Sequence, residues 1–263
     1  MKCVRSIVAC AGLIILSACG SLMQGTPVRM PAPGALPSDQ AMSVLFNLQQ
    51  KNIDLKTFKG IGKVRLINRR GSESARMAWA ASVEEKIRMD VLSVTGQPMF
   101  TVSSDGKWFY MLSYAQHRFL KKETTRSSLK QLIDIPVETP DIIALIGGRI
   151  PVCEHQTAFL FYDTDRTGYV LELVRRRGQI VEKIYLDDSR RSVEKIERFD
   201  SSGDLVYRAE FRNISQMDGF LVPVWLMLHG KDGSSLELKV EKYWTNIFIS
   251  PSVFVLTPPE NRG

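Results

Sequence analysis

The chain of 263 residues contains only four cysteines and has no long hydrophobic run. The apolar stretch near its start, Ile7 to Leu16, covers ten residues, whereas an α-helix needs about twenty to span a bilayer. Lys2 and Arg5 give this stretch a basic start, which is typical of a secretory signal. We therefore predict a signal peptide over residues 1–18.

The scarcity of cysteine limits what can hold the exported protein together. Cys3 and Cys10 leave with the signal and Cys19 follows it directly, so only Cys153 lies within the body of the chain. An intramolecular disulfide is therefore excluded, and the core must stabilise the fold. Removal of the two basic residues of the signal lowers the formal net charge from +7 to +5. In an exported protein, this excess of positive charge indicates binding to anionic lipid head groups rather than to nucleic acid. Alternatively, it simply keeps the surface soluble.

Patterns typical of catalysis are also missing. The sequence Cys153-Glu154-His155 has no second cluster at metal-ligand spacing. Gly60-Ile61-Gly62 lacks the third glycine and the Lys-Ser pair of a phosphate-binding loop, and no nucleophile elbow occurs. We expect no enzymatic activity, no metal and no cofactor.

The segment after the signal differs in composition from the rest of the chain. Residues 20–37 contain four prolines and three glycines without apolar periodicity, so residues 19–37 are predicted to be a flexible tether. The folded body, residues 38–263, should open with a short helix with Ser38 as its N-cap. Its apolar positions are Ala41, Leu45 and Leu48, with Met42 and Val44 beside them.

Beyond this helix the hydrophobic period changes to two. Ile87, Met89 and Val91 alternate with charged residues, and the stretches 205–212 and 236–241 show the same pattern. Turn signals separate the runs; they lie at residues 68–71, 105–106, 163–168, 201–203, 218–219 and 231–233. The spacing predicts a mainly β fold, with about a dozen strands in meander order.

Helical periodicity returns once, between Thr125 and Pro151. The stretch 125–135 places Leu129, Leu132 and Ile133 on one face, and a second helix begins at Thr139-Pro140 and stops at Gly147-Gly148. We predict a single curled antiparallel sheet, a half-barrel of about 11 to 13 strands, in which these two short helices form a central lid over the concave face. Alternatively, the helices simply complete a solid core.

Two resemblances to known proteins extend this interpretation. Leu16-Ser17-Ala18-Cys19 resembles the lipobox of bacterial lipoproteins, which implies that Cys19 is acylated; the alternative is an ordinary signal in which Cys19 is incidental. Gly20, rather than aspartate, follows it, and the resemblance therefore implies lipid anchoring at the periplasmic face of the outer membrane.

The order of elements, together with residues 58–96, 141–152 and 254–260, resembles the LolA/LolB superfamily of periplasmic carriers and outer-membrane receptors for lipoproteins. A LolB-like receptor implies an apolar cavity that binds the acyl chains of lipoproteins received from a periplasmic carrier and helps insert them into the outer membrane. We expect a monomer with these partners and no nucleic acid.

The alternation of apolar and polar residues and the resemblance together predict the residues of this site. The predicted cavity wall is Met77, Trp79, Ile87, Met89, Val91, Phe100, Val102, Trp108, Tyr110 and Phe119 from the sheet, and Ile142, Ile143, Leu145 and Ile146 from the lid. In the receptor an exposed leucine in the loop before the glycine corresponding to Gly96 helps insert cargo. Thr95 occupies that position here, and Val94 could serve as the apolar tip instead.

Two other hypotheses remain open at this point. The protein could be an envelope interaction lipoprotein with a solid-core β domain that binds a protein partner. It could also be a lipid-modifying enzyme that uses carboxylates facing the cavity. An unfilled cavity would separate the receptor hypothesis from the solid-core hypothesis.

Overall fold

Thirteen strands and two α-helices make up the part of the chain that the computed structural model describes, residues 34–123 and 135–258. The helices are α1 (Ser38–Gln50) and α2 (Thr139–Ile146). The strands are β1 (Thr57–Asn68), β2 (Gly71–Ser82), β3 (Lys86–Leu92), β4 (Pro98–Asp105), β5 (Trp108–Ser113), β6 (Arg118–Glu123), β7 (Thr157–Asp163), β8 (Gly168–Val174), β9 (Ile180–Asp187), β10 (Val193–Phe199), β11 (Leu205–Met217), β12 (Phe220–Gly230) and β13 (Ser235–Thr245).

The strands form one antiparallel sheet in the order β6-β5-β4-β3-β2-β1-β13-β12-β11-β10-β9-β8-β7. Two meanders, β1 to β6 and β7 to β13, are joined in the middle because β1 pairs with β13. The sheet is not closed, since β6 and β7 are its edges and do not pair with each other. This architecture confirms the prediction of a single open sheet of 11 to 13 strands.

Alternation of side chains determines which face of the sheet is buried. On β3 the side chains of Ile87 and Met89 are buried, whereas Arg88 and Asp90 lie on the outer face and pair with each other at 3.0 Å. All six predicted turn segments lie between consecutive strands. The turn chemistry and the period of two therefore locate most strands correctly.

Helix α1 packs against the edge strand β7 through Ala41, Val44, Leu45 and Leu48. Its start differs from the prediction by one residue. Pro37 occupies the N-cap position and Ser38 is the first helical residue, so the Ser38 side chain makes no capping hydrogen bond. Position 37 suits the start because the fixed φ of proline allows the extended conformation that precedes a helix.

Helix α2 lies over the inner face of the sheet, against β12. It runs from Thr139 to Ile146, within the limits that the sequence predicts, and Gly147 occupies its C-cap position. Gly148 has a φ of +68°, and a β-carbon at this position would overlap the carbonyl oxygen of Leu221, so only glycine fits. Asn52 fixes the same junction by donating from Nδ2 to the Gly147 carbonyl at 3.0 Å.

Several predictions fall outside the described residues. The signal peptide, Cys19 and most of the tether belong to this group, as do Leu129, Leu132 and Ile133 of the first predicted lid helix. Their predictions stand as made.

The outer face of the first meander is covered by the chain after β13. A short 3₁₀ helix, Pro251–Phe254, packs against β3 and β4. Ser103 Oγ donates to the Phe254 carbonyl at 2.7 Å, and Arg88 donates to the Val253 carbonyl at 3.2 Å. This part of the sheet is therefore buried on both faces.

Candidate functional site

An apolar cavity of about 350 Å³ lies between the inner face of the sheet and helix α2. Strands β1 to β4, β12 and β13 form its wall, and α2 forms part of its cover. Apolar side chains from these strands and from α2 dominate the lining, and Glu73 is the one ionisable residue among the described residues that form it. The cavity is therefore suited to apolar chains rather than to polar ligands.

Half of the predicted wall residues line this cavity. They come from β2, β3, β4 and α2: Met77, Met89, Val91, Phe100, Val102, Ile142 and Ile146. Because directly paired residues in adjacent strands share a face, the pairs Met89 with Val102 and Val91 with Phe100 place their side chains side by side on this wall.

Four other predicted residues are buried next to the cavity in the main core. Trp79, Ile87, Ile143 and Leu145 are all nearly inaccessible to solvent and do not line the open space. The Trp79 ring packs against Tyr243 with a centroid distance of 6.4 Å and lies over Gly60. These side chains pack in the core beside the residues that line the cavity.

The remaining three predicted wall residues, Trp108, Tyr110 and Phe119, lie on the opposite face of the sheet. Tyr110 pairs with Ser103, which faces the C-terminal segment, and Phe119 pairs with Leu112 on that same face. They form a separate cluster with Leu256. These three residues therefore lie away from the cavity described above. Both faces of β5 are apolar, so alternation could not indicate its inner face, and Phe119 on β6 follows its partner Leu112.

Within this outer cluster, the hydroxyl of Tyr110 donates to Asp105 Oδ2 at 2.8 Å. Burial and this hydrogen bond raise the pKa of Tyr110 to about 12. The contact ties β5 to the end of β4 and has no connection to the cavity.

The middle of the sheet contributes wall residues that the sequence pattern did not predict. Val64 and Leu66 on β1 pair with Leu238 and Leu236 on β13, and Leu238 also pairs with Leu226 on β12. All five line the cavity. Their period of two was visible in the sequence, but the pairing of the first strand with the last was not.

The cavity reaches the end of the sheet where the β1–β2, β3–β4 and β12–β13 turns lie, which we call the cavity end. Glu73 and Ser74, just after the β1–β2 turn, and Met99, just after the β3–β4 loop, line the cavity and are exposed. The open side of the cavity therefore faces these turns.

The β3–β4 loop at the cavity end carries a fully exposed valine, Val94. Thr95 is also exposed, but its Oγ1 lies 2.9 Å from Ser93 Oγ, and the Ser93 amide donates to the Gln97 carbonyl at 2.8 Å. The hydroxyl of Thr95 is thus engaged within the loop. The apolar tip of this loop is Val94.

Helix α2 is also held by a buried polar cluster on the inner face of the second meander. Asp141 Oδ2 accepts a hydrogen bond from the Tyr207 hydroxyl at 2.9 Å and lies 3.4 Å from Arg198 Nη2. Arg198 Nη2 also lies 3.8 Å from Glu182 Oε1. The strand register brings these side chains together, because Arg198 on β10 pairs with Glu182 on β9 and with Tyr207 on β11.

Burial dominates the ionisation of this cluster. It raises the pKa of Glu182 to about 7, against the opposing effects of Arg198 and of a hydrogen bond from the Cys153 amide at 2.9 Å. Burial likewise raises the pKa of the Cys153 thiol to about 11, so this cysteine is not an activated nucleophile. The cluster therefore fastens α2 rather than offering reactive groups.

Within residues 34–123 and 135–258, no three His, Cys, Asp or Glu side chains are grouped so that they could hold a metal ion. No helix in the same part of the chain is long and apolar enough to span a membrane.

Comparison with solved structures shows where this fold occurs. A domain from Vibrio parahaemolyticus assigned to outer membrane lipoprotein sorting has a TM-score of 0.59 and 13% identity, over 83% of this chain and 97% of that chain. A LolA superfamily protein from Nitrosomonas europaea has a TM-score of 0.54 and 16% identity, over 82% and 97%. A DUF1329 family protein from Desulfovibrio piger has a TM-score of 0.57 and 9% identity, over 83% and 97%.

No protein-family model matches the chain, and no curated protein matches it. At these identities the likeness to solved structures shows the fold. It confirms, at the level of fold, the resemblance to the LolA/LolB superfamily that the sequence carries.

Proposed function

We propose that the protein is a lipid-anchored envelope lipoprotein that binds the acyl chains of other lipoproteins and helps deliver them to the outer membrane. The observation that carries this proposal is the unfilled apolar cavity of about 350 Å³ under helix α2. Its open side lies at the end of the sheet that presents Val94. The proposed binding site and the exposed Val94 thus lie at the same end of the sheet.

The physical need for such a cavity follows from the cargo. A triacylated lipoprotein carries on the order of forty methylenes, and at about 0.8 kcal/mol each their exposure to water would cost tens of kcal/mol. A covered apolar path removes this cost without any bond being made or broken. Transfer then runs from the periplasmic carrier to this protein and on to the membrane if each binds the chains more tightly than the one before.

We infer from the size of the cavity that helix α2 moves when cargo binds. At about 350 Å³, it lies near the lower end of the range of roughly 300–1,000 Å³ for small-molecule sites. This volume accepts part of the acyl moiety. Ile142 and Ile146 of α2 line the cavity, so displacement of the helix would open more of the inner face to the remaining chains.

The anchor belongs to the same proposal. Acylation of Cys19, followed by Gly20 and the tether 19–37, would hold the folded body at the periplasmic face of the outer membrane. The similarity of fold to a lipoprotein-sorting domain and to a LolA superfamily protein supports this setting. The proposed partners are acylated lipoproteins and the periplasmic carrier that brings them.

A transfer assay tests the proposal. The processed chain from residue 19, carrying Cys19→Ser so that it remains soluble, is mixed with a periplasmic carrier loaded with an acylated lipoprotein, and the cargo bound to each protein is measured. We expect transfer to this protein. Ala75→Trp places a large side chain in the cavity and should block uptake, whereas Ser72→Trp on the exposed outer face of the same strand should not.

An interaction lipoprotein is the second candidate, because the inner face of the second meander is filled. Leu160, Leu171, Leu173, Ile184, Ile196 and Ala209 are buried there. A folded sample that accepts no acylated cargo and co-purifies with a protein partner would favour this function over lipid transfer.

A further inference from the structure

The turns at the cavity end carry a set of exposed basic side chains. Across the sheet, these turns follow the strand order: first β12–β13, then β1–β2, then the β3–β4 loop, then β5–β6. Lys231 lies in the first of them, Arg69 and Arg70 lie in the second, and Arg118 follows the last. The apolar tip Val94, in the β3–β4 loop, is therefore flanked by basic turns on both sides.

These four basic side chains have few acidic neighbours. Among the described residues none of the four forms an ion pair, whereas Arg76, Arg88 and Arg208 on the outer face of the sheet all do. The carboxylates near them are Asp232, which interacts electrostatically with Arg69, and Glu73 at the cavity opening. Four positive charges against two negative ones leave an excess of positive charge around Val94.

We infer that the cavity end docks on the surface of a bilayer that contains anionic phospholipids. In this arrangement Arg69, Arg70, Arg118 and Lys231 contact lipid phosphates while Val94 enters the apolar boundary below the head groups. The inference rests on the proposed function, because it assigns the membrane class to which the cavity delivers its acyl chains.

The chemistry of the two groups favours a membrane over a free anion. A basic cluster attracts anionic lipid head groups within about one Debye length of the surface. An exposed valine gains nothing from a soluble phosphate, but it is stabilised when it leaves water for the acyl boundary. The apolar tip, the basic flanks and the open apolar cavity lie at the same end of the sheet. A lipid surface offers a partner for each of them, because it has an apolar boundary, anionic head groups and acyl chains.

Docking in this orientation also shortens the exposed path of the cargo. The cavity opening at Glu73, Ser74 and Met99 lies at the same end as the docking residues. Acyl chains that leave the cavity would therefore enter the bilayer directly.

A vesicle flotation assay tests this inference with the processed chain from residue 19 carrying Cys19→Ser. Vesicles of phosphatidylcholine alone are compared with vesicles that also contain phosphatidylglycerol. We expect binding to the anionic vesicles to be stronger and to weaken as salt is added. The quadruple variant carries Arg69→Gln, Arg70→Gln, Arg118→Gln and Lys231→Gln.

Each removed charge should weaken binding to anionic vesicles roughly fivefold, and the quadruple variant should lose nearly three orders of magnitude. A matched control removes four exposed charges from the opposite end of the sheet and should bind nearly as the parent does. Its changes are Lys56→Gln, Lys107→Gln, Arg166→Gln and Arg191→Gln.

Equal binding to neutral and anionic vesicles, or equal losses in the quadruple and control variants, would overturn the inference. Circular dichroism and retained uptake of acylated cargo show that the quadruple variant is folded; the single variant Arg70→Gln replaces it if it is not. Cargo uptake from the carrier is independent of lipid charge. Failure of uptake therefore counts against the proposed function, and loss of the anionic preference with intact uptake counts against this inference alone.

Discussion

At the scale of single residues, Gly60 shows how close the packing beneath the cavity is. Gly60 on β1 pairs with Trp79 on β2, and a β-carbon at position 60 would overlap the indole ring. The φ of Gly60 is not positive, so the glycine is required by space rather than by backbone conformation. An aromatic side chain lying over a cross-strand glycine is a known way to stabilise such a position in a sheet.

Gly60→Ala should therefore destabilise the protein by about 1–3 kcal/mol, because the indole must leave its position in a packed core. Denaturant unfolding measures this difference. In a Trp79→Leu background the overlapping ring is absent, and the same change at Gly60 should cost clearly less. Equal costs in both backgrounds would show that the ring is not the reason for the glycine.

Glu182 gives a prediction for the pH dependence of stability. Its pKa in the folded protein, about 7, lies above its ordinary value of 4.5, mainly because the side chain is buried. The folded state thus binds this proton more tightly than the unfolded state does. The stabilising contribution of protonated Glu182 is fully present below pH 4.5 and is lost as the pH rises through about 7.

Since one pKa unit corresponds to about 1.4 kcal/mol, this contribution is on the order of 3 kcal/mol at most. Glu182→Gln should remove it, so the free energy of unfolding should fall less steeply with pH in that window. Urea unfolding across the range measures the slope, with Glu194→Gln at an exposed position as control. An unchanged slope in Glu182→Gln would contradict the assignment.

At the scale of elements, helix α2 is held by two kinds of contact. Its apolar side chains pack on the sheet, and Asp141 near its first turn joins Arg198 and Tyr207. Arg198 is the only cation in the described part of this cluster and balances both Asp141 and Glu182. Its pKa is raised, because the acidic groups around it outweigh the lowering effect of burial.

Arg198→Met should leave Asp141 and Glu182 as buried carboxylates without a counter-charge, which costs about 3–5 kcal/mol. We expect lower global stability and faster hydrogen exchange of the amides in residues 139–146, since α2 loses its polar attachment. Adding Glu182→Gln to Arg198→Met should restore part of the stability. If α2 exchanges as slowly as in the parent protein, the cluster does not fasten the helix.

The elements themselves could largely be predicted from the sequence. The turns at residues 68–71 and 231–233 and the alternation around Met89 locate strands because one face of each is polar. The same rule failed at Tyr110, since Leu256, just after the C-terminal 3₁₀ helix, packs on the outer face of β5 and both faces of this strand are apolar. Leu236 and Leu238 were missed as wall residues because β13 is distant from β1 in the sequence, and the local pattern does not reveal that the two strands pair.

At the scale of the whole molecule, binding of cargo and delivery to a membrane depend on different parts of the structure. The cavity wall comes from the middle of the sheet, where the two meanders meet, and from α2. The docking residues lie in the turns at one end. A variant in the turns can therefore impair delivery without changing the wall, and a variant in the wall can block uptake without changing the turns.

Val94→Ser should separate these steps. Moving a valine side chain out of water contributes about 1.5–3 kcal/mol when burial is complete, so its loss should reduce delivery of cargo into vesicles by roughly tenfold. Uptake from the carrier should be unchanged, because Val94 does not line the cavity. The assay follows a labelled lipoprotein from the carrier to this protein and then to phosphatidylglycerol-containing vesicles.

Two matched variants decide whether the apolar character of the tip is responsible. Val94→Leu keeps an apolar side chain and should deliver at least as well as the parent protein, whereas Thr95→Ala changes the neighbouring exposed position and should have little effect. If Val94→Ser delivers cargo at the rate of the parent, the loop does not enter the membrane. Delivery would then rest on the basic turns and on the higher affinity of the bilayer for the acyl chains.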